Sequence, residues 1–161
     1  MALHLLDSPW ENISQSFILV VEDSDEDFYT FLRAAEQLET TTITSHSVLR
    51  LTDGDEAIDY LFRQGDYAGI TTPLPKTILL DLNLPGTDGR EVINTVKRDA
   101  NLRTLPIIVF TTSHNAVDIQ YCYNHGANSY HIKPMGSEKM NSTVRSLFEY
   151  WFDFAILPSN A

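Results

Sequence analysis

The sequence predicts an α/β fold in which five parallel strands form one doubly wound sheet covered by five helices. Short apolar runs alternate with segments whose apolar residues recur at helical spacing, and the alternation occurs five times. This pattern is typical of a parallel sheet with helices on both faces. Three of the apolar runs are continuous, which predicts strands buried on both faces. We expect the strand order 2-1-3-4-5, with a switch point between the first and third strands.

Each element is predicted from a run of residues and a signal at its end. The second strand alternates apolar and polar residues, as an edge strand does, and the fifth strand is short. The predicted strands cover residues 17–21, 43–51, 77–81, 106–110 and 129–132. The predicted helices cover residues 25–38, 55–63, 88–99, 116–124 and 138–154. Ser24 or Asp25, Asp53 and Asp88 stand where helix N-caps are expected.

Length and composition limit the class of protein. We expect one domain over residues 16–157, an N-terminal arm over residues 1–15 and a tail over residues 158–161. The net charge of −11, from 11 basic and 22 acidic residues, opposes binding to nucleic acid. A single cysteine excludes a disulfide within the chain, and no apolar run is long enough for export or membrane insertion. We therefore expect a soluble cytoplasmic protein.

Polar residues follow the apolar runs and are expected to meet at one edge of the sheet. Glu22 and Asp23 follow the first strand, and Asp81 ends the third. Thr111 and Lys133 follow the next two strands. Because ligands bind outside the carboxyl ends of parallel strands, this edge is the candidate site. Of the other nearby acids, Asp25, Glu26 and Asp27 are assigned to the start of the first helix.

The chemistry open to Asp81 is metal ligation, base catalysis or acceptance of a phosphoryl group. Three neighbouring carboxylates repel one another and need a cation, and oxygen ligands favour Mg²⁺ or Mn²⁺. We expect Asp23 and Asp81 to bind it by side chain, Asn83 by its backbone carbonyl, and Glu22 through water. Lys133 and Thr111 are suited to stabilising a phosphoryl group on Asp81.

These motifs together resemble the receiver domain of two-component response regulators. The resemblance spans about residues 16–155 and depends on the acidic pair, LLDLNLPGTDG around Asp81, VFTTS around Thr111 and SYHIKP around Lys133. It implies a flavodoxin-like fold and transfer of a phosphoryl group from a histidine kinase to Asp81. It also implies that Thr111 and Tyr130 form the switch and that the peptide before Pro134 is cis.

A closer resemblance is to the small single-domain response regulators of cyanobacterial phytochromes. The stretch DLNLPGTDGREV, the long loop before the third strand, the TTS triplet and the aromatic C-terminal segment carry it. It implies a phytochrome-type light sensor as the partner kinase. The signal would then leave through the face built from the fourth helix, the fifth strand and the fifth helix.

A second apolar stripe on the last helix predicts a homodimer. Tyr150, Phe154 and Leu157 lie at i, i+4 and i+7, beside the stripe expected to face the core. An exposed apolar patch usually marks association. The alternative is that the N-terminal arm, with Leu3, Leu5 and Trp10, covers the stripe.

Two other function classes remain open at this stage. One is a Mg²⁺-dependent phosphohydrolase that forms an aspartyl-phosphate, although such enzymes generally carry a second acid at the position of Asn83. The other is an interaction module that does not depend on phosphorylation. We expect a phosphoacceptor protein and not an enzyme. Cys122 and the scattered histidines are interpreted as structural or solvent-facing, and Arg90 as a surface residue.

Overall fold

In a computed structural model of the chain, residues 17–38 and 47–159 are described. Three predicted segments lie outside these ranges: the N-terminal arm, the last two residues of the tail, and residues 43–46 of the second strand, which include His46. Within them, no helix is both long and apolar enough to cross a membrane.

Five parallel strands form one sheet in the order β2-β1-β3-β4-β5, as predicted. The strands are β1 (Ile18–Val21), β2 (Val48–Leu51), β3 (Thr77–Leu80), β4 (Ile107–Thr111) and β5 (Ser129–Ile132). In the register between β1 and β3, Val21 pairs with Leu80. The residues that follow these two strands therefore emerge side by side at one edge of the sheet.

Five α-helices connect and cover the strands. They are α1 (Asp25–Glu36), α2 (Gly54–Phe62), α3 (Gly89–Arg98), α4 (Ala116–Asn124) and α5 (Ser137–Phe148). The predicted N-caps are confirmed, since the side chains of Ser24, Asp53 and Asp88 each accept a backbone N–H of the following turn. The long loop before β3 contains one short 3₁₀ turn, Gly65–Tyr67.

The core consists of two apolar layers, one on each face of the sheet. Leu19 and Val21 point to the layer shared with α2 and α3, whereas Ile18 and Val20 point to the layer shared with α1 and α5. The inner strands are buried along their whole length because both faces are covered. This explains why their sequences are continuously apolar.

The C-terminal helix differs from the prediction. The α-helix ends at Phe148 and a π-helical segment, Glu149–Phe154, follows. The wider turn changes the angle between successive side chains, and the backbone is extended at Ala155. The prediction that Leu157 continues a helical stripe with Tyr150 and Phe154 is therefore wrong. Leu157 is partly buried and packs against the core.

Candidate functional site

Three carboxylates meet at the switch point of the sheet. Glu22 and Asp23 follow β1, Asp81 follows β3, and each offers an oxygen within 4.8 Å of the others. Glu22 and Asp81 are buried, whereas Asp23 is exposed. The sheet thus brings together the three acids that the sequence predicts as a metal-binding set.

Close backbone packing holds Asp81 in place. A Cβ atom on Gly89, at the start of α3, would lie 2.3 Å from the Asp81 carbonyl oxygen, so only glycine fits. The Asn83 N–H donates to Asp81 Oδ1 at 3.2 Å. These contacts explain why a turn follows Asp81 and why a glycine begins α3.

Lys133 fills the centre of the acidic pocket. Its Nζ donates to Asp81 Oδ2 at 2.7 Å, to Asp27 Oδ2 at 2.8 Å and to Glu22 Oε2. Burial alone would lower the pKa of Lys133, but these hydrogen bonds outweigh it and raise the pKa above its usual value. The lysine is therefore a fixed cation beside Asp81.

Glu22 experiences two opposing influences. Burial raises the pKa of Glu22 above its usual value, while the hydrogen bond and charge of Lys133 act to lower it. Its second oxygen, Oε1, accepts the Ser24 N–H at 3.0 Å. Both Glu22 oxygens thus have protein donors, an arrangement compatible with the predicted contact to a metal through water.

Asp27 is a member of this site that the sequence interpretation missed. It was assigned to the start of α1, where its N–H is indeed capped by Ser24. Its carboxylate, however, pairs with Lys133. The available signal was its place in the first turn of α1, which begins at the same edge of the sheet as the acidic pair.

Thr111, Ser113 and Tyr130 form a second polar group at the ends of β4 and β5. Thr111 is fully buried, and its Oγ accepts the Ser113 N–H at 3.4 Å. The Tyr130 hydroxyl donates to the Ser113 carbonyl oxygen at 2.8 Å. The two predicted switch residues therefore contact the same residue of the β4–α4 loop.

Arg90 is not simply a surface residue, as the sequence suggested. Its guanidinium pairs with Asp88 at 2.9 Å and with Asp118 of α4 at 2.8 Å. Hydrogen bonds from Arg90 and then Ser113 hold the pKa of Asp118 below its usual range. An ionic bridge therefore links the start of α3 to α4 and to the β4–α4 loop.

The predicted cis peptide before Pro134 is wrong, because the described residues contain no cis peptide bond. The trans and cis forms of a peptide before proline differ little in free energy, so either is accessible. In the trans form, the Lys133 N–H donates to the Thr111 carbonyl oxygen at 2.7 Å, and Lys133 still reaches all three carboxylates.

The remaining predictions fall into two groups. Cys122 is buried, and burial raises its pKa to about 11, as expected of a packed thiol. Tyr150 and Phe154 of the predicted dimer surface are 57% and 77% exposed, whereas Leu157 is partly buried. The metal-binding, phosphoacceptor and switch roles of the named residues stay predictions.

A flavodoxin-like sheet with acids and a buried lysine at its switch point is typical of signalling receivers. The chain belongs to the response regulator receiver domain family, whose sequence profile matches residues 18–145.

Two curated relatives match most of the chain. FilR2 of Methanothrix harundinacea, a probable methanogenesis regulatory protein, is 38% identical over 144 residues, which cover 89% of this chain and 88% of the relative. The response regulator Rcp1 of Synechocystis is 36% identical over 142 residues, with 88% and 92% covered.

Solved structures agree with the fold. The Mn²⁺-bound form of Rcp1 has a TM-score of 0.80 at 36% identity, covering 89% of this chain and 99% of that one. The phosphorylated cyanobacterial phytochrome response regulator RcpA has a TM-score of 0.79 at 37% identity, covering 88% and 97%. The predicted resemblance to phytochrome response regulators is therefore confirmed.

Proposed function

We propose that this chain is a response regulator whose Asp81 accepts a phosphoryl group from the phosphohistidine of a sensor histidine kinase. The observation that carries the proposal is the position of Asp81, which lies at the switch point between other carboxylates and the Lys133 ammonium. Each chain accepts one phosphoryl group on its own Asp81, so we class it as a phosphoacceptor rather than an enzyme that acts on small substrates. Since histidine kinases draw on ATP, we place the exchange in the cytoplasm.

The charges of the pocket support a Mg²⁺ or Mn²⁺ cofactor. Lys133 pairs with the carboxylates of Glu22, Asp27 and Asp81, and Asp23 adds a fourth carboxylate, which leaves an excess of negative charge. Asp23, Asp81 and the Asn83 carbonyl would hold the ion, as hard oxygen ligands do. When bound, the ion neutralises charge on the phosphoryl oxygens. The Mn²⁺-bound form of Rcp1 supports this assignment by similarity.

The transfer would use side chains at the ends of β3, β4 and β5. A carboxylate oxygen of Asp81 attacks phosphorus in line with the P–N bond of the phosphohistidine. As the new O–P bond forms, the P–N bond breaks and its electron pair returns to the imidazole ring. Lys133 shifts its hydrogen bond from Asp81 Oδ2 to a phosphoryl oxygen, and the Thr111 hydroxyl donates to another.

A groove beside the pocket gives a phosphodonor access. It has a volume of about 640 Å³ and runs between α1 and the β5–α5 loop, with Asp27 and Lys133 in its lining. Met135, which is 90% exposed, lies along it. A donor helix placed there would bring its histidine toward Asp81.

The polar group at Ser113 supports the proposed output. Phosphorylation adds about −1.5 to −2 charge at Asp81. Movement of Thr111 toward this charge would disturb its contact with the Ser113 N–H, and Tyr130 would lose its fixed acceptor. The change would alter the face formed by α4, β5 and α5, as a local charge biases a two-state element.

A phytochrome-type light sensor is our proposal for the kinase. The similarity to RcpA, a phytochrome response regulator, supports it. FilR2, from a methanogen, has comparable identity, so the test must compare kinases directly. We expect transfer from a phytochrome-type kinase to be faster than transfer from an unrelated histidine kinase at equal concentrations.

The proposed function is tested by intact mass after incubation with acetyl phosphate and Mg²⁺. We expect one phosphoryl adduct on the wild type, dependent on Mg²⁺, and none on Asp81→Asn. Asp23→Asn serves as a second variant, in which labelling should need more Mg²⁺. Failure of the folded wild type to form any adduct would contradict the proposal.

A further inference from the structure

Arg50 of β2 contacts the loop that carries the acidic pair, although its own side chain is not a metal ligand. Its Nε donates to the Glu22 carbonyl oxygen at 3.0 Å and its Nη2 to the Asp23 carbonyl oxygen at 3.2 Å. A third nitrogen, Nη1, pairs with Asp25 at 2.7 Å. The guanidinium carbon lies 4.6 Å from the centre of the Phe28 ring.

These contacts fix the guanidinium from several sides. The Arg50 side chain is only 15% exposed, whereas that of Asp25 is 80% exposed. In the sheet, Arg50 pairs with Val20. Beyond the last pair of β1 and β2, the Glu22 N–H still donates to the Leu51 carbonyl oxygen at 3.0 Å. The loop is therefore held by both the strand and the side chain of β2.

We infer that Arg50 is a positioning residue for the divalent metal, holding the backbone of Glu22 and Asp23 so that their carboxylates face Asp81. The inference rests on the proposed metal site. Asp23 needs such support because it is exposed and lies at the start of the loop, outside the strand. A planar guanidinium can bond two successive carbonyl oxygens at once, which a lysine ammonium on a flexible stem cannot reproduce.

A positioning role and simple electrostatics predict opposite changes in metal affinity when Arg50 is replaced. Arg50 is a cation close to an acidic cluster, so removing its charge should favour a second cation there. Removing a positioning contact should instead weaken metal binding, because groups that orient ligands commonly contribute 10- to 100-fold in affinity. The direction of the change therefore decides between the two roles.

The experiment is a titration of the metal-free full chain with Mn²⁺, in which electron paramagnetic resonance measures the free ion. We expect Arg50→Met to weaken Mn²⁺ binding about 10-fold or more, and Arg50→Lys to weaken it while keeping the charge. Arg33→Met is the matched control, because Arg33 lies in the groove beside Lys133 but, among the described residues, donates only to the Tyr29 carbonyl oxygen. It should change the dissociation constant less than about twofold.

A second readout is independent of the metal and of phosphorylation. In metal-free protein, hydrogen exchange at the Ser24 amide should be faster in Arg50→Met and Arg50→Lys than in Arg33→Met. Equal or tighter Mn²⁺ binding by both Arg50 variants would overturn the inference, as would equal weakening by Arg33→Met. If the wild type binds no Mn²⁺, the metal site itself fails; if only phosphorylation fails, the role of Arg50 stands on its own titration.

Discussion

At the scale of single residues, Lys133 is the group whose removal changes the pocket most. It is 8% exposed and pairs with three carboxylates, two of which are also buried. Removing one member of a buried ionic group leaves the others without compensation, at a cost of about 3–5 kcal/mol. A metal ion that neutralises the same carboxylates should offset part of this loss.

We therefore expect Lys133→Met to lower the free energy of unfolding by about 3–5 kcal/mol in metal-free buffer. Added Mg²⁺ should stabilise the variant more than the wild type, because ligand binding to the native state adds stability. Thermal unfolding with and without Mg²⁺ measures both effects. Lys139→Met, at an exposed position of α5, is the control, and an equal response of the two variants would contradict the prediction.

Glu22 gives a prediction for pH. Burial raises its pKa in the folded chain above the usual 4.5. Between pH 4.5 and the raised value, the native state binds more protons than the unfolded state, so this group's contribution to stability falls as pH rises. As the pH rises above 4.5, the wild type should therefore lose stability relative to Glu22→Gln.

Urea unfolding at a series of pH values in metal-free buffer measures this difference. Glu36→Gln, which replaces an exposed carboxyl group, controls for the loss of one charge. A shift in the opposite direction would show that Lys133 outweighs burial at Glu22.

Residue types and their order were enough to predict the three acids at the switch point, because parallel strands bring their carboxyl ends to one edge. The pairing of Asp27 with Lys133 was missed because a local role, at the start of a helix, already explained an acid there. The cis peptide before Pro134 was predicted from the family resemblance and is wrong, because the two forms differ too little in free energy for a resemblance to decide between them.

At the scale of elements, the bridge from Arg90 to Asp88 and Asp118 joins two helices that otherwise share few contacts. The Asp118 side chain is 16% exposed and also accepts the Ser113 hydroxyl at 2.6 Å. The bridge therefore anchors both the first turn of α4 and the loop before it. Of the α4 residues, only Cys122 is buried, so packing alone holds this helix weakly.

We expect Arg90→Met to destabilise the chain by about 1–3 kcal/mol, because it leaves the Asp118 carboxylate without its cationic partner. Hydrogen exchange should become faster in α4 and in the β4–α4 loop, and less so in α1. Arg98→Met is the control, since Arg98 is exposed on the same helix as Arg90. Uniform changes across all helices, or equal changes in both variants, would argue against a local anchor.

The boundaries of several elements followed from the sequence. The inner strands were predicted to within a residue because continuous apolar runs mark strands that are buried on both faces. The bounds of α4 and β5 were also predicted, although most of their residues are not buried, because Gly126 and Pro134 follow these two elements. The C-terminal helix was extended too far as an α-helix, since apolar spacing does not distinguish an α-helical from a π-helical turn. The true geometry depends on how Trp151 and Leu157 pack against the core.

At the scale of the whole molecule, the surface near the C-terminus is more apolar than a single chain requires. Tyr150 is 57% exposed, Phe154 77% and Ile156 100%. Tyr150 and Trp151 also line a groove of about 490 Å³ between β5 and α5. Exposed apolar side chains around a groove favour burial against another surface.

We propose that this surface, formed by Tyr150, Phe154 and Ile156, is buried in a two-fold homodimer. Light scattering on the full chain should give twice the 18.2 kDa of one protomer. Tyr150→Ser combined with Phe154→Ser should give the mass of a single chain, because the variant removes two large exposed aromatic side chains of this surface. Tyr29→Ser, which removes a 55% exposed aromatic side chain from α1, should leave the dimer intact.

A wild type that remains a single chain at high concentration, before and after acetyl phosphate, would contradict the dimer. It would favour the alternative that residues 1–15 of the same chain cover this surface.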